Sequence, residues 1–436
     1  MTTPSSRESS RNRGEASPAP STAPSTSSAT EATNISRPES YVSDKTDDSS
    51  KLKTLLGILR KFIGVSDIAA VRFSLPAQLL EPTPNLEYWN YLDRPETFIG
   101  IGDSDNDLGR MLAVLRFWFT KDLCNWEVED TTAPVLGEAH KESATKHVDT
   151  KDQPVRISYL TEQTSHHPPI SAFFIDCPVK GISARGFDQI SAKFTGTSLR
   201  VTPGSYNLGI FINIESRNNE EYQLTHPVAH LGGLLRGSLS VTVADTCFIT
   251  CPKTKIKVIL HYLEESWLGK TQNKVNGVIY NYIPESDNRT RIKDVPEKDV
   301  LARLEGCWHD QVFFTSSGSK DPQLLIDLKP LFPLPKIVPP VEKQLPNESQ
   351  RFWGEVTKAI KSKSYNEATK LKTALEERQR EKATKRKENN EEWRPRFFID
   401  PVTSNGKPDL SEEGRRALQG LQAEDYALTE SEVTAA

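Results

Sequence analysis

The sequence predicts a β-dominated α+β protein, with a long antiparallel meander in the middle and helices towards both ends. Residues 155–330 carry short segments rich in Val, Ile, Thr, Tyr and Phe. Among them are Ile170–Ile175, Phe211–Ile214, Ser238–Thr242, Cys247–Thr250, Lys255–Leu263 and Val275–Tyr282. Gly, Pro, Asn and Asp separate these segments, as turn residues separate strands. The gaps leave little room for crossover helices, so consecutive strands pair antiparallel and close into a barrel or stack as a sandwich. Imperfect alternation suits a wide barrel with apolar positions inside and out. Periodicity alone leaves the sandwich open.

Composition narrows the class. A chain of 436 residues holds one large domain or two ordinary ones. With 36% hydrophobic and 26% charged residues, it can build a core and still carry sizeable disordered segments. A net charge of −4 argues against a general nucleic-acid binder, which needs a basic excess. Five unclustered cysteines point to a reducing cytosol. Cys247 and Cys251 form the one close pair, with no second pair to complete a zinc site, so no metal is expected. The N-terminus shows no apolar signal core, and no apolar run reaches the roughly eighteen residues that span a bilayer. The expectation is a soluble protein that at most visits membranes.

Taken in order, residues 1–48 are Ser, Thr, Pro, Ala and charge, and are expected to form a disordered tail. Residues 49–66 are expected to form a helix. Leu52, Leu55, Leu56, Leu59, Phe62 and Ile63 recur at amphipathic spacing, flanked by Lys51, Lys53, Arg60 and Lys61. Ser49 or Ser50 is placed to cap its start and Gly64 to end it. Such a stripe either packs on a core or lies on a membrane. The β core is assigned to 67–335. Within it, Asn85 to Tyr91 brings Trp89 beside two tyrosines, and Asp107 to Trp126 has the apolar face of a helix in Met111, Leu112, Val114, Leu115, Trp118 and Phe119.

Three ligand motifs fail on inspection. Asp103, Asp105 and Asp107 suggest a calcium loop, but its sixth and twelfth positions are Leu108 and Val114 instead of Gly and Glu. Gly269-Lys270-Thr271 lacks the earlier glycine of a phosphate loop, since Glu264 occupies that place. Gly100-Ile101-Gly102 lacks its third glycine at Asp105.

After a proline-rich stretch, residues 336–403 are expected to form a helical subdomain. Asn347–Lys361 makes one helix, and Asn366 is placed to cap a second that runs to about Asn390. Lys372, Glu376 and Arg380 lie four apart and share one stripe of that helix. On spacing alone they read as a solvated ion-pair ladder worth tenths of a kcal/mol. Residues 404–436 look like a loose acidic tail.

The most distinctive stretch is Glu162-Gln163-Thr164-Ser165-His166-His167-Pro168-Pro169, leading into the apolar Ile170–Phe174. Proline bars His167 from a helix, and the two prolines stiffen the segment. The expected geometry is a rigid extended run holding two imidazoles at the start of a strand. Histidine is half-charged near pH ~6.5 and an adjacent phosphate raises that value, so the pair suits an anionic head group. The same residues also read as a stiff turn whose histidines cap backbone groups.

Those eight residues closely resemble the fingerprint of the oxysterol-binding-protein-related family of lipid-transfer proteins, usually Glu-Gln-Val-Ser-His-His-Pro-Pro. Thr164 is the one departure, and it is β-branched like Val. Ile68–Pro76 resembles the family's opening strand. Pro134-Val135-Leu136-Gly137-Glu138 resembles its Lys-Pro-x-Asn-Pro-x-Leu-Gly-Glu signature, and the run from Trp393 to Pro401 its closing Trp-x-Pro-Arg-Phe-Phe. The resemblance covers about Lys51 to Pro401. It implies a large incomplete antiparallel β-barrel around a lipid tunnel, an N-terminal lid helix and a C-terminal helical subdomain, with no room for a pleckstrin-type, ankyrin or transmembrane region.

The same resemblance implies a lipid head-group site of His166, His167, Lys372, Glu376 and Arg380. It places Trp89 in the tunnel wall and gives Leu55, Leu59 and Phe62 a lid that also touches membranes. One departure matters: the usual Lys and Asn of the second signature are Asp130 and Ala133 here. An anion in place of a cation near a phosphate costs roughly 1 kcal/mol if exposed and several if desolvated. Phosphoinositide binding is then weakened, or Lys141 or Lys146 substitutes, or the lipid differs. The implied function is non-vesicular transfer of a sterol, exchanged for phosphatidylinositol 4-phosphate, by a cytoplasmic protein peripheral at endoplasmic reticulum, Golgi or plasma membrane. A lipid-dependent sensor, or a carrier of phosphatidylserine, is the alternative. A lipid hydrolase would need a Gly-x-Ser-x-Gly elbow, which the sequence lacks, so no enzyme and no cofactor is expected.

Overall fold

The computed structural model describes residues 45–71, 74–88, 91–123, 141–149, 154–233, 240–263 and 273–425. Among the described residues, fifteen strands form one sheet. In chain order these are β1 (Lys141–Asp149), β2 (Pro154–His166), β3 (Pro169–Cys177), β4 (Ile182–Asp188), β5 (Ile190–Phe194), β6 (Leu199–Pro203), β7 (Ile210–Ile214) and β8 (Glu220–Leu224). The remainder are β9 (Val228–Gly232), β10 (Ser240–Cys251), β11 (Ile256–Tyr262), β12 (Lys274–Asn281), β13 (Val300–Cys307), β14 (Gln311–Ser316) and β15 (Gln323–Asp327). The main path is β1-β2-β3-β4-β7-β8-β10-β11-β12-β13-β14-β15, and β5, β6 and β9 form a flap attached through β10. Short turns allow this meander, because antiparallel neighbours need no crossover. Among the described residues β1 and β15 do not pair, so the barrel stays open as expected.

β10 joins flap to barrel. Its first half pairs with β9 and its second half with β11, and the change falls at Asp245, which has a φ of 73°. Aspartate tolerates that left-handed conformation better than most residues. The sequence reads this strand as two segments because the kink interrupts the pattern.

Between the first helix and β1 the described residues include α2 (Asn85–Tyr88), α3 (Pro95–Ile99) and α4 (Asp107–Thr120). The side chain of Asn106 accepts the Gly109 N–H at 3.1 Å and caps α4. Met111, Leu112, Val114, Leu115, Phe117, Trp118 and Phe119 are all buried. A helix that is apolar on nearly every side is a buried helix. Accordingly α4 shares one core with the strand residues Ile157, Phe173, Ile212, Ile249 and Val258. The helix therefore fills part of the barrel from within, and its C-terminal end presents Lys121 and Asp122 to the interior. It stops at Thr120, short of the expected Trp126.

The first helix, α1 (Lys45–Leu59), begins before Ser49 and Ser50, which lie within it. A 3-10 turn, Arg60–Phe62, follows, and Gly64 ends the segment with a φ of 90°. Ile68–Pro76 is not a strand: its described residues form turns and irregular backbone. Asp67 explains this, since its carboxylate accepts the N–H groups of Ala69 at 3.0 Å and Ala192 at 2.9 Å and curls the chain onto β5.

Two helices, α5 (Ser349–Lys361) and α6 (Tyr365–Glu388), make the C-terminal hairpin. Asn366 lies inside α6 and does not cap it. Residues past 404 are not a loose tail up to Asp425. Ser411 caps a further helix, α7 (Glu412–Ala423), whose Ala417, Leu418 and Leu421 pack on Leu160, Ile170 and Phe187. Three buried apolar residues at helical spacing supply the reason, hidden in sequence by the acidic residues around them.

Candidate functional site

β2 ends at His166, the chain turns at His167–Pro168, and β3 leaves from Pro169, which sits opposite His166. The two histidines thus occupy the tip of a tight hairpin, where an extended run was expected. Proline explains the turn: it cannot donate to a ladder, so Pro168 belongs in a turn and Pro169 at a strand's first position. Both imidazoles are exposed, with ring centroids 4.2 Å apart and planes tilted by 47°. The ladder slips between Gln163 and Ser165, leaving Thr164 as the extra residue of a bulge. Thr164 is fully buried and its hydroxyl finds no partner. Valine is nearly isosteric and carries no hydroxyl to leave unpaired, so either residue fits a buried position of this kind.

Glu162, the first residue of the motif, is 1% exposed and serves as a brace. Its carboxylate accepts the N–H groups of Arg396 at 2.8 Å and Phe397 at 2.7 Å. The closing Arg-Phe-Phe segment that follows α6 is thereby fixed to the strand that carries the histidines. Phe397 and Phe398 fill the same core as Leu160, Ile170 and α7.

On α6, Lys372 and Glu376 are 6% and 7% exposed and form an ion pair. A solvated ladder is therefore wrong for these two. Arg380, whose side chain is 69% exposed, reaches the other carboxylate oxygen of Glu376 at 3.3 Å. Burying such a pair is costly unless further hydrogen bonds satisfy it. Ser74 supplies them, accepting from Lys372 Nζ at 2.6 Å and donating to Glu376 Oε1 at 3.0 Å. The structure thus brings together the two histidines as one group and the α6 residues as another. Trp89, Asp130 and Ala133 lie outside the described residues, and Lys141 and Lys146 lie on β1.

Leu55 and Leu59 are buried against Ile68, Leu79, Ala192 and Phe194, with Phe62 at the edge of the same cluster. In this state the apolar face of α1 is turned onto the β5–β6 flap.

A second polar group, which the sequence did not reveal, lies deep inside the barrel. Lys121 pairs with Asp122, and its ammonium sits 4.9 Å from the centroid of the Tyr91 ring and 4.7 Å from that of Trp118. Tyr91 donates its hydroxyl to Asp188, and Trp118 Nε1 donates to the Tyr262 hydroxyl at 2.9 Å. His226 stacks on Tyr91 at 6.0 Å, and its Nε2 has no partner among the described atoms. Asp188 and His226 flank this cluster and are half-buried. Single polar residues far apart in sequence give no pattern to read, and a Lys-Asp pair ending a helix looks like a solvated one.

The enclosure shifts both titrations. Burial, then the charge of Asp122, pushes Asp188 up to about 7, against the Tyr91 hydrogen bond and the Lys121 charge. Burial and the Lys121 charge push His226 down to about 3, so its imidazole is neutral. A carboxyl raised from 3.8 favours the fold at low pH, and that stability is lost as pH rises through about 7. A histidine lowered from 6.5 favours the fold above that value and loses stability as pH falls towards 3. The two oppose each other over the acid range. We expect Asp188→Asn to make unfolding midpoints in urea drop steeply below pH ~6.5, and His226→Gln to make them drop as pH rises from ~4 to ~7. Two variants that both follow the parent profile would refute this pairing.

Residues 54–365 match the sequence model of the oxysterol-binding protein family. The chain is 37% identical to oxysterol-binding protein-like protein 1 of Schizosaccharomyces pombe, over 90% of this chain and 95% of that protein. Its fold is similar to that of the Osh1 ORD domain crystallised with ergosterol, with a TM-score of 0.60 at 19% identity, covering 88% of this chain and 98% of that one. It is also similar to the Osh3 ORD of Saccharomyces cerevisiae in complex with PI(4)P, with a TM-score of 0.59 at 16% identity, covering 86% and 94%. At such identities the two structures speak for the fold alone.

Proposed function

The chain belongs to the oxysterol-binding protein family, and on that premise we propose that it carries one lipid at a time inside its barrel and exchanges a sterol for phosphatidylinositol 4-phosphate between membranes. The observation that carries this reading is the enclosed polar group within an apolar barrel. An almost wholly apolar ligand with one hydroxyl suits it: apolar burial contributes ~25 cal/mol per Å² of ligand surface, and neutral His226 with Asp188 satisfies the hydroxyl. The phosphoinositide half rests on Lys372, Arg380 and the exposed His166 and His167. Proteins of the same fold have been crystallised with ergosterol and with PI(4)P. Membrane contact is assigned to the opened lid, where Leu55 and Leu59 leave the flap beside the already exposed Ile63. The proposed setting is the cytoplasmic face of endoplasmic reticulum, Golgi or plasma membrane.

The test is transfer between liposomes, with labelled sterol in donors and phosphatidylinositol 4-phosphate present or absent in acceptors. Faster sterol movement with the phosphoinositide is expected. Movement that ignores it leaves sterol carriage and removes exchange. If neither lipid moves, transfer fails and a lipid-dependent sensor takes its place.

A further inference from the structure

The segment between the lid and the 3-10 turn Ala77–Leu79 passes directly over the α6 pair. Ser74 lies on it, on irregular backbone, and is exposed. Its hydroxyl stands between Lys372 and Glu376, accepting from the ammonium at 2.6 Å and donating to the carboxylate at 3.0 Å. Arg380 points a guanidinium at the same carboxylate, 3.3 Å away. Glu376 thus acts as an internal anion that gathers a lysine, an arginine and a serine hydroxyl. An arriving phosphate competes with it for all three donors.

Upstream, the same segment is pinned to the flap on which the lid rests. Ile68 N–H donates to the Ala192 carbonyl at 2.6 Å, and Asp67 accepts the Ala192 N–H. Downstream, Ala77 and Leu80 pack against Val356, Ala359 and Ala368 of the C-terminal hairpin. Ser74 therefore sits on a stretch of chain that touches both the lid's seat and the charged pair.

We propose that Ser74 is a phosphate-selecting residue contributed by the lid stem, and that it couples head-group occupancy to lid closure. Its hydroxyl leaves Glu376 and donates to a phosphate oxygen, a rotation about χ1 with no bond broken. The phosphate then holds α6 and the lid stem together. A ligand without phosphate leaves Ser74 on Glu376 and forms no such tie. The inference rests on the phosphoinositide half of the proposed function and names a specificity determinant within it.

The experiment compares parent, Ser74→Ala and Ser74→Thr as full chains. Affinities are measured for phosphatidylcholine vesicles carrying either phosphatidylinositol 4-phosphate or sterol, with hydrogen exchange of α1 followed in parallel. In Ser74→Ala the ratio of phosphoinositide to sterol affinity is expected to fall about 10-fold, the effect of one hydrogen bond to a charged group. Ser74→Thr keeps a hydroxyl and is expected to restore the ratio. Phosphoinositide should slow exchange in α1 of the parent and not of Ser74→Ala at equal occupancy. An equal loss for both lipids makes Ser74 a structural residue and overturns the proposal. An unchanged ratio with unchanged lid protection overturns it as well, while leaving exchange itself intact. A parent that takes no phosphoinositide overturns this inference and the exchange reading together.

Discussion

Lys372→Ala is expected to abolish phosphoinositide extraction, lowering affinity at least about 100-fold, and to destabilise the fold by roughly 3–5 kcal/mol. Both effects come from one feature. Lys372 and Glu376 are almost fully buried as a pair. Removing the lysine leaves a desolvated carboxylate that has lost its buried counter-charge, with Ser74 and the exposed Arg380 still bonded to it. That residual charge then faces the arriving phosphate and repels it, so the variant loses an attraction and gains a repulsion in a poorly screened place.

Stability and binding separate in a second variant, Lys372→Met combined with Glu376→Leu. Replacing a buried pair by apolar side chains of similar size is often neutral or stabilising. The double variant is therefore expected to unfold within about 1–2 kcal/mol of the parent and still to extract no phosphoinositide. Urea denaturation and a vesicle extraction assay read the two properties. Extraction that survives in Lys372→Ala removes α6 from the head-group site. Extraction that returns in the double variant shows that only folding was lost.

The meander and the first helix were readable because their information is local. Ile170–Ile175 lies inside β3 and Phe211–Ile214 inside β7. The leucine stripe of α1 reports the face it buries. The head-group candidates were legible only through resemblance, since spacing alone makes Lys372 and Glu376 a surface ladder. What failed shares one cause. Ser74, Glu162, Asp188 and His226 act across large sequence separations, where no period exists to be read. Ile68–Pro76 was read as a strand through the family resemblance, yet a single carboxylate at Asp67 diverts the backbone. The acidic tail hid α7 because a helix needs few apolar residues when its partner surface, around Phe397 and Leu160, is already built.

Glu162→Ala is expected to cost roughly 3–5 kcal/mol, because a buried and a half-buried backbone N–H lose a charged acceptor at once. The strand carrying Glu162 leads straight into the histidine hairpin, so its place in the motif invites a role as a lipid ligand. The geometry gives it another, as the clamp that holds Arg396 and Phe397. The two roles predict opposite patterns for Glu162→Gln, which keeps one carbonyl acceptor and turns an amide donor towards the other N–H. A ligand role makes that variant lose phosphoinositide affinity while unfolding like the parent. A clamp makes it lose stability in urea, about half as much as Glu162→Ala, with the hairpin and α7 loosening together. Faster hydrogen exchange in α7, whose Ser411 N–H is bonded to the Phe397 carbonyl at 2.9 Å, would be the direct sign. Parent-like exchange in α7 would mean that the clamp is not what holds the helix down.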